Sequence, residues 1–429
     1  MRPSFALALL PVSLLPFPAL ARPVAAASAA PPPLRIGLDR RFRHSTALLL
    51  SCAKPFSLLD AATDRPLVRG LPGIIYKADV SPQGIVLTRA DDVTGVPVAP
   101  PLAAVVLMPG QAAPVQVARM DGRLPAARGI PWRRYRGFLT VRREPEGTLR
   151  VVNTVALEPY LYGVIPAEIG SDVPLEAMKA QAVAARTYAL KNRGKLAREG
   201  FDLDDTTRCE GYLGVDGETP LSNGAVDDTR GLVLAYAGRL IDAPYSTDSG
   251  GMTADGGCAY LRPVKDCNER DGKDYAAGGK YHTWSRTFTP AQLASALARD
   301  PRTRVGRFAS LALDGLDVSG RVTTATVAGA DGTLKTVSGP DLRQILGYDV
   351  LRSTRLTLTR TATGDYQFDG KGWGHGLGMS QDGAVSMAGP PYRKTYRQIL
   401  GHYYVGTALV SDLAVALPRA APTPARPGP

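Results

Sequence analysis

Apolar and polar positions change their period several times along the 429 residues of this chain. From residue 34 to about 135, short β-branched and apolar runs are separated by Pro, Gly and Asp. Ile36 to Leu38, Ala47 to Leu50, Gly84 to Leu87 and Ala104 to Met108 are the clearest. This predicts strands and turns, with no helical period. Leu149 to Leu157 alternates as a half-buried strand. A helical period follows, with Leu175, Met178, Ala182, Ala185 and Ala189 at matching spacing. Ser171 or Asp172 is the expected cap, Pro174 falls in the first turn, Glu176 suits the N-terminal dipole, and Lys191, Arg193 and Gly194 supply the stop. A face built from alanine lets neighbours approach closely, so this helix is expected to be a buried axis. Further on, the pattern predicts hairpins across Ala237-Gly238 and Asp331-Gly332, short helices over 290–297, 340–346 and 395–404, and strands over 355–359 and 366–368. The expected class is α+β: a mixed, β-rich, loop-heavy domain over 136–412 around the Ala-rich helix. A β-rich accessory region at 34–135 precedes it.

The two ends read differently. Arg2 is followed by an apolar run from Phe5 to Leu20, interrupted by Pro11, Pro16 and Pro18 and too short to span a bilayer. Ala19-Leu20-Ala21 has the form of a signal-peptidase site, so residues 1–21, and at most to about 30, read as a signal peptide; an uncleaved anchor is the alternative. No other stretch is long and apolar enough to cross a membrane. The mature chain is therefore expected to be exported, to a periplasm, cell wall or extracellular space. The tail from 413 is rich in Pro and Ala and reads as disordered.

Composition adds limits. Hydrophobic residues at 44% and charged residues at 21% exclude a coiled coil, a polytopic membrane protein and a mostly disordered chain. Net charge is +12, which favours polyanionic partners. Aromatic residues at 7% and the lack of a clustered Arg/Lys stripe argue against nucleic acid. Export makes the four cysteines candidates for disulfides, with Cys258–Cys267 the expected pair and Cys52–Cys209 a second bridge or free thiols.

Four segments concentrate candidate chemistry. Val164 to Ile169 places Glu168 on an apolar loop, where desolvation would raise its pKa as a general acid needs; a solvated loop carboxylate is the plainer reading. Thr206 to Gly214 and Tyr245 to Thr253 follow. The latter contains Asp248-Ser249-Gly250-Gly251, as in chymotrypsin-like proteases. His44 lacks the flank such a protease requires, and His282, His375 and His402 all come after the serine, so that reading is rejected. Gly372 to Ala384 surrounds Trp373 and His375 with five glycines, which lets backbone approach a ligand or another segment closely. A flat Trp among neutral polar groups suits a sugar ring better than a phosphate. Metal binding is poorly supported, with four His and neither His-x-x-x-His nor Cys-x-x-Cys. No cofactor is expected.

Taken in order, five stretches resemble the signatures of the SpoIID/LytB family of bacterial cell-wall proteins over residues 136–412. They are Glu158 to Glu168, Glu176 to Tyr188, Ser249-Gly250-Gly251-Met252-Thr253, Gly372 to Ala384, and Ile399 to Tyr404. The resemblance implies peptidoglycan as substrate. SpoIID-type members are lytic transglycosylases that act on glycan strands stripped of stem peptides, beside an amidase. LytB-type members are described as enhancers of an amidase, so a non-catalytic wall-binding role stays open. The family's catalytic acid matches Glu168. Trp373, His375, Ser249, Thr253 and Gln381 are the expected sugar-groove residues, with Tyr212 a further candidate. Some members bind zinc through a Cys/His cluster. Asp204 and Arg208 stand in two of those positions here and leave only Cys209, so no structural zinc is expected. Glu210-Gly211 also replaces the family's more usual Gln-Val.

Overall fold

The computed structural model describes residues 31–120 and 129–412. The expected signal peptide and the Pro/Ala-rich tail lie outside the described residues. The fold is α+β. Its helices are α1 (Asp39–Phe42), α2 (Leu157–Glu168), α3 (Leu175–Lys191), α4 (Pro220–Asp228), α5 (Pro290–Ala298), α6 (Gly339–Leu346), α7 (Gln381–Ala388) and α8 (Tyr396–Tyr403). The four-residue α1 interrupts a region whose pattern had suggested strands only.

Two sheets organise the first half. The larger has seven strands, in the order Leu203–Asp204, Leu34–Gly37, Leu149–Val155, Phe138–Arg143, Ala104–Pro109, Phe56–Asp60 and Pro66–Gly70. Strands from either side of residue 136 therefore share one ladder, with Leu34 opposite Val155 and Leu139 opposite Leu107. The second sheet runs Gly84–Arg89, Tyr76–Ser81, Ala47–Cys52, Val115–Arg119 and Arg133–Tyr135. A continuous apolar core joins both sheets to α2 and α3.

Helix α3 is an axis, as its alanines predicted. Ala177, Ala180, Ala182, Ala184, Ala185 and Ala189 are all fully buried, and α2, α4, α7, α8 and the strand Leu232–Tyr236 pack around it. Its N-terminus differs from expectation. Pro174 is the N-cap and no side chain caps the helix. Asp172 is exposed, and Glu176 instead accepts a hydrogen bond from the backbone N–H of Tyr396 at 2.7 Å, tying α8 to the start of α3. Helices α4, α5 and α8 begin with Thr capping boxes, at Thr219, Thr289 and Thr395, where the side chain satisfies an N–H left free by the first turn.

Residues 283–371 have their own core. Trp284, Leu293, Leu297, Val327, Leu342, Leu346 and Phe368 are buried together. Three-stranded sheets at Thr283–Phe288, Tyr366–Lys371, Leu356–Arg360 and at Phe308–Leu316, Val322–Gly329, Leu334–Ser338 frame it, and both expected hairpins are present.

The expected disulfides are not formed, and all four cysteines are free. Cys267 is tied to the Asp274 segment by a β-bridge, and its neighbour Asp266 donates its N–H to Gly251. Cys258 belongs to the turn into Leu261, against a different part of the core. Cys52 is buried in its strand and its thiol is directed at the carbonyl of Pro114.

Candidate functional site

Glu168 is not on a loop. It is the last residue of α2, and Ile169 and Gly170 (φ 90°) end the helix. Tyr160, Val164 and Glu168 recur every four residues and share one helix face. That face is turned to the Cys209–Tyr212 segment. The N–H of Gly211 donates to Oε1 of Glu168, and Nε2 of Gln381, at the start of α7, lies 3.4 Å from Oε2. Both contacts favour the carboxylate. Burial outweighs them, and the pKa of Glu168 is raised. Its place at a helix C-terminus, the negative end of the dipole, acts in the same direction. The side chain is nonetheless only half-buried, so this acid is reachable.

A second carboxyl group stands behind it. Glu210 is 1% exposed and receives hydrogen bonds from the hydroxyls of Tyr245 (2.7 Å) and Tyr160 (3.1 Å). Burial pushes its pKa up to about 8, and the charge of Glu168 adds to the rise. The sequence reading treated Glu210 only as a departure from the family pattern. Its chemical signal was a carboxylic acid in a position that the resemblance fills with an amide. Sealed and protonated near neutrality, Glu210 offers no second carboxylate to a ligand. Gln381 also lies 3.4 Å from Oε1 of the buried Gln181, whose Nε2 has no partner.

The Gly372–Ala384 segment runs past this acid pair, and its glycines have a packing reason. A Cβ on Gly372 would strike the main chain of Asp248, one on Gly374 the side chain of Ser246, and one on Gly376 the guanidinium of Arg321. Gly374 and Gly376 also have positive φ, 119° and 79°. Close approach here is to the Tyr245–Gly250 segment rather than to a ligand, with Asp248 and Trp373 exchanging backbone hydrogen bonds of 3.0 and 2.9 Å.

The candidate sugar-groove residues divide. Tyr212 is core: it is 2% exposed, packs on Tyr160 at 4.9 Å and donates to Asn153 at 2.9 Å. Ser249 is buried and donates to Asp266 at 2.6 Å, and Thr253 is buried and accepts from the N–H of Val264 at 2.7 Å. These three hold the scaffold together and do not line an open surface. Gln381 touches the acid. Trp373 is half-buried and meets Tyr281 edge-to-face at 4.5 Å. His375 reaches solvent within a densely packed surround, and desolvation together with Arg343 and Arg321 pushes its pKa down to about 4. Its Nδ1 accepts from the N–H of Leu377 at 3.0 Å, so the ring is a neutral group. The ring also bonds the backbone of Tyr245, the residue whose hydroxyl holds Glu210. The structure thus brings Gln381 to Glu168, sets His375 against the Tyr245 segment whose hydroxyl holds Glu210, and leaves Tyr212, Ser249 and Thr253 inside the fold.

At the positions matching the family's zinc cluster, Arg208 bonds Asp204 at 2.6 Å and Glu199 at 2.9 Å. Among the described residues no three His, Cys, Asp or Glu are grouped to hold a metal ion. Two cavities, of about 630 and 390 Å³, lie elsewhere. One is lined by the strands Phe308–Leu316 and Leu356–Arg360, the other by Cys267, Tyr275 and His402, and neither includes Glu168. No described helix is long and apolar enough to cross a membrane.

Comparisons with known proteins agree with this layout. A family model described as stage II sporulation protein (SpoIID) matches residues 145–236, which carry α2, Glu168, α3 and Glu210. A second, described as a domain of unknown function (DUF8618), matches residues 264–378. The chain is 34% identical over 275 residues to an uncharacterized protein of Brachyspira hyodysenteriae, covering 61% of this chain and 69% of that one. It is 32% identical over 287 residues to stage II sporulation protein D of Bacillus subtilis, covering 60% and 75%. It is 32% identical over 298 residues to the amidase enhancer of the same organism, covering 58% of this chain and 40% of that protein. With the five signature stretches in order and stage II sporulation protein D matched at 32% identity over 75% of its length, this chain belongs to the SpoIID/LytB family.

Proposed function

We propose that this protein remodels peptidoglycan as a lytic transglycosylase, cleaving between N-acetylmuramic acid and N-acetylglucosamine in glycan strands stripped of stem peptides. One observation carries the reading: a single reachable glutamic acid, Glu168, whose pKa is raised by burial while a backbone N–H and an amide fix both of its oxygens. Most glycosidases employ two carboxyl groups because a water must be activated. An intramolecular attack needs only one. Glu168 gives its proton to the glycosidic oxygen as the C1–O bond breaks. The C6 hydroxyl oxygen of the same muramic residue then bonds to C1, and its proton passes to the Glu168 carboxylate. A 1,6-anhydro end forms, no water is consumed and the acid is restored. Gln381 and Gly211 position the carboxyl group through both changes of charge.

The amidase enhancer among the relatives favours a second reading, in which the protein binds the wall and stimulates an N-acetylmuramoyl-L-alanine amidase. One experiment separates them. Mature protein is incubated with stripped strands alone, and separately with intact peptidoglycan and an amidase, and products are read by mass spectrometry. Transglycosylation predicts 1,6-anhydro ends in the first mixture. Stimulated amidase without such ends would establish the second reading.

A further inference from the structure

Arg321, Arg343 and Arg352 lie close to the Gly372–Gly378 loop. Arg321 is 3% exposed. Its Nη2 donates to the carbonyls of Ser249 (2.7 Å) and Met252 (3.1 Å), while Nε and Nη1 are buried and have no partner. Arg352 is half-buried over the ring of Tyr281, 4.1 Å from its centroid, and 5.5 Å from that of Trp373; its Nε is likewise buried and unpartnered. Arg343 spends its Nε on the carbonyl of Leu351. None of these three forms an ion pair among the described residues. Asp317 and Asp248 both oppose the charge of Arg321 without pairing with its guanidinium; Asp317 accepts the backbone N–H of Arg321 (3.0 Å), and Asp248 is bound to His282 (3.0 Å) and to the N–H of Gly250 (2.6 Å). Gly374 donates its N–H to the main-chain carbonyl of Arg352, and Gly376 lies against the guanidinium of Arg321.

Burying guanidinium N–H groups without partners is unfavourable. An apolar side chain would remove that penalty while giving up the two carbonyl contacts that Nη2 of Arg321 makes. Desolvation, with Arg343 and Arg321 adding to it, also pushes the pKa of His375 down to about 4. Arg321 is sealed from solvent, so an anion would meet this charge at the half-buried guanidinium of Arg352. Because guanidinium is a planar donor and Trp373 and Tyr281 offer a flat apolar face beside it, the matching ligand is a carboxylate carried on a ring.

We infer that Arg352, backed by the buried charge of Arg321 and Arg343, binds the free lactyl carboxylate of a muramic residue whose sugar ring rests on Trp373. This inference depends on the glycan reading above and gives it a chemical basis for selecting stripped strands. Removal of a stem peptide converts the lactyl group from a neutral amide to a carboxylate, and only the carboxylate neutralises the arginines. With a stem peptide attached, the same pocket would stay unneutralised. The inference also gives the region matched by the domain of unknown function a role, since Arg321, Arg343 and Arg352 all come from it.

The test is binding of the Glu168→Gln protein, which holds strands without turning them over, to stripped strands and to the same strands with their lactyl carboxylates methyl-esterified. The acid form should bind at least about tenfold more tightly, as a charge-assisted contact in a partly desolvated site predicts. Arg352→Ala should erase the difference, and Arg321→Met should reduce it while leaving the protein folded. Equal binding of acid and ester, or binding of neither, overturns the inference. If Arg352→Ala fails to fold, the acid-to-ester ratio of the parent protein decides alone. The two readings fail separately: 1,6-anhydro products without acid selectivity would sink only the carboxylate site, and selectivity without products would sink only the cleavage reading.

Discussion

Arg186 and Arg321 are the two arginines that the fold buries almost completely, and they are treated in opposite ways. Arg186, on the axis helix α3, is held by both oxygens of Glu158 at 2.9 and 2.7 Å, and its remaining N–H groups reach the carbonyls of Val226 and Leu232. Arg321, beside the glycine loop, has two carbonyl contacts, no carboxylate and two orphaned nitrogens. Burial, with Arg355 and Arg343 alongside, pushes its pKa down to about 10. The difference marks which region is built for stability and which retains an unfavourable charge. The acid end shows the same unfavourable arrangement with opposite sign: Glu168 and Glu210 sit in a desolvated place that raises the pKa of both, that of Glu210 to about 8.

The largest expected effect is on the stable side of this comparison. Glu158→Ala leaves Arg186 buried and unpaired, and should cost about 3–5 kcal/mol in chemical denaturation. A loss under about 1 kcal/mol would remove the distinction between the two arginines. Next, Tyr212→Phe strips the hydroxyl from Asn153 and should destabilise by about 1–3 kcal/mol while leaving glycan cleavage intact. Loss of activity in a folded Tyr212→Phe protein would return Tyr212 to the groove.

The acid pair makes stability depend on pH. Glu210, with its pKa near 8, and Glu168, raised in the same direction, keep their protons in the folded state at pH values where the unfolded chain has released them. Their contribution is complete below the ordinary glutamate pKa and is lost as pH rises toward 8. Thermal unfolding should therefore occur several degrees lower at pH 8.5 than at pH 5.5, by about 3 °C or more, and Glu210→Gln should flatten that slope. An unchanged slope in the variant would show that Glu210 is not the titrating group. Smallest of all, Arg321→Met should be neutral or up to about 1 kcal/mol more stable, the reverse of the Glu158 result.

Much of this layout was legible in the sequence. Periodicity and alanine content placed α3 as the axis, and the Ala237-Gly238 and Asp331-Gly332 hairpins formed where turn chemistry put them. The structure differed where local signals compete with tertiary packing. Glu168 read as a loop residue ahead of the long helix, yet α2 runs through Pro166 and ends on Glu168 itself. Ser249, Thr253 and Tyr212 resembled ligand-binding groups because hydroxyls suit sugars, but their partners, Asp266, Val264 and Asn153, are distant in sequence and no pattern links them. The same holds for Glu210, Arg321 and Arg352. A carboxyl group or guanidinium becomes informative only once its neighbours are known, and those neighbours come from distant segments, 213 residues away in the case of Glu168 and Gln381.

The central claim is that Glu168 alone supplies and recovers the catalytic proton. Its most direct measurement compares wild type with Glu168→Gln on stripped glycan strands, counting 1,6-anhydro ends by mass spectrometry after circular dichroism has shown both proteins folded. The amide keeps the contact with Gly211 but has no proton to give, so the rate should fall at least about 100-fold. A folded Glu168→Gln protein that forms 1,6-anhydro ends at the wild-type rate would contradict the account.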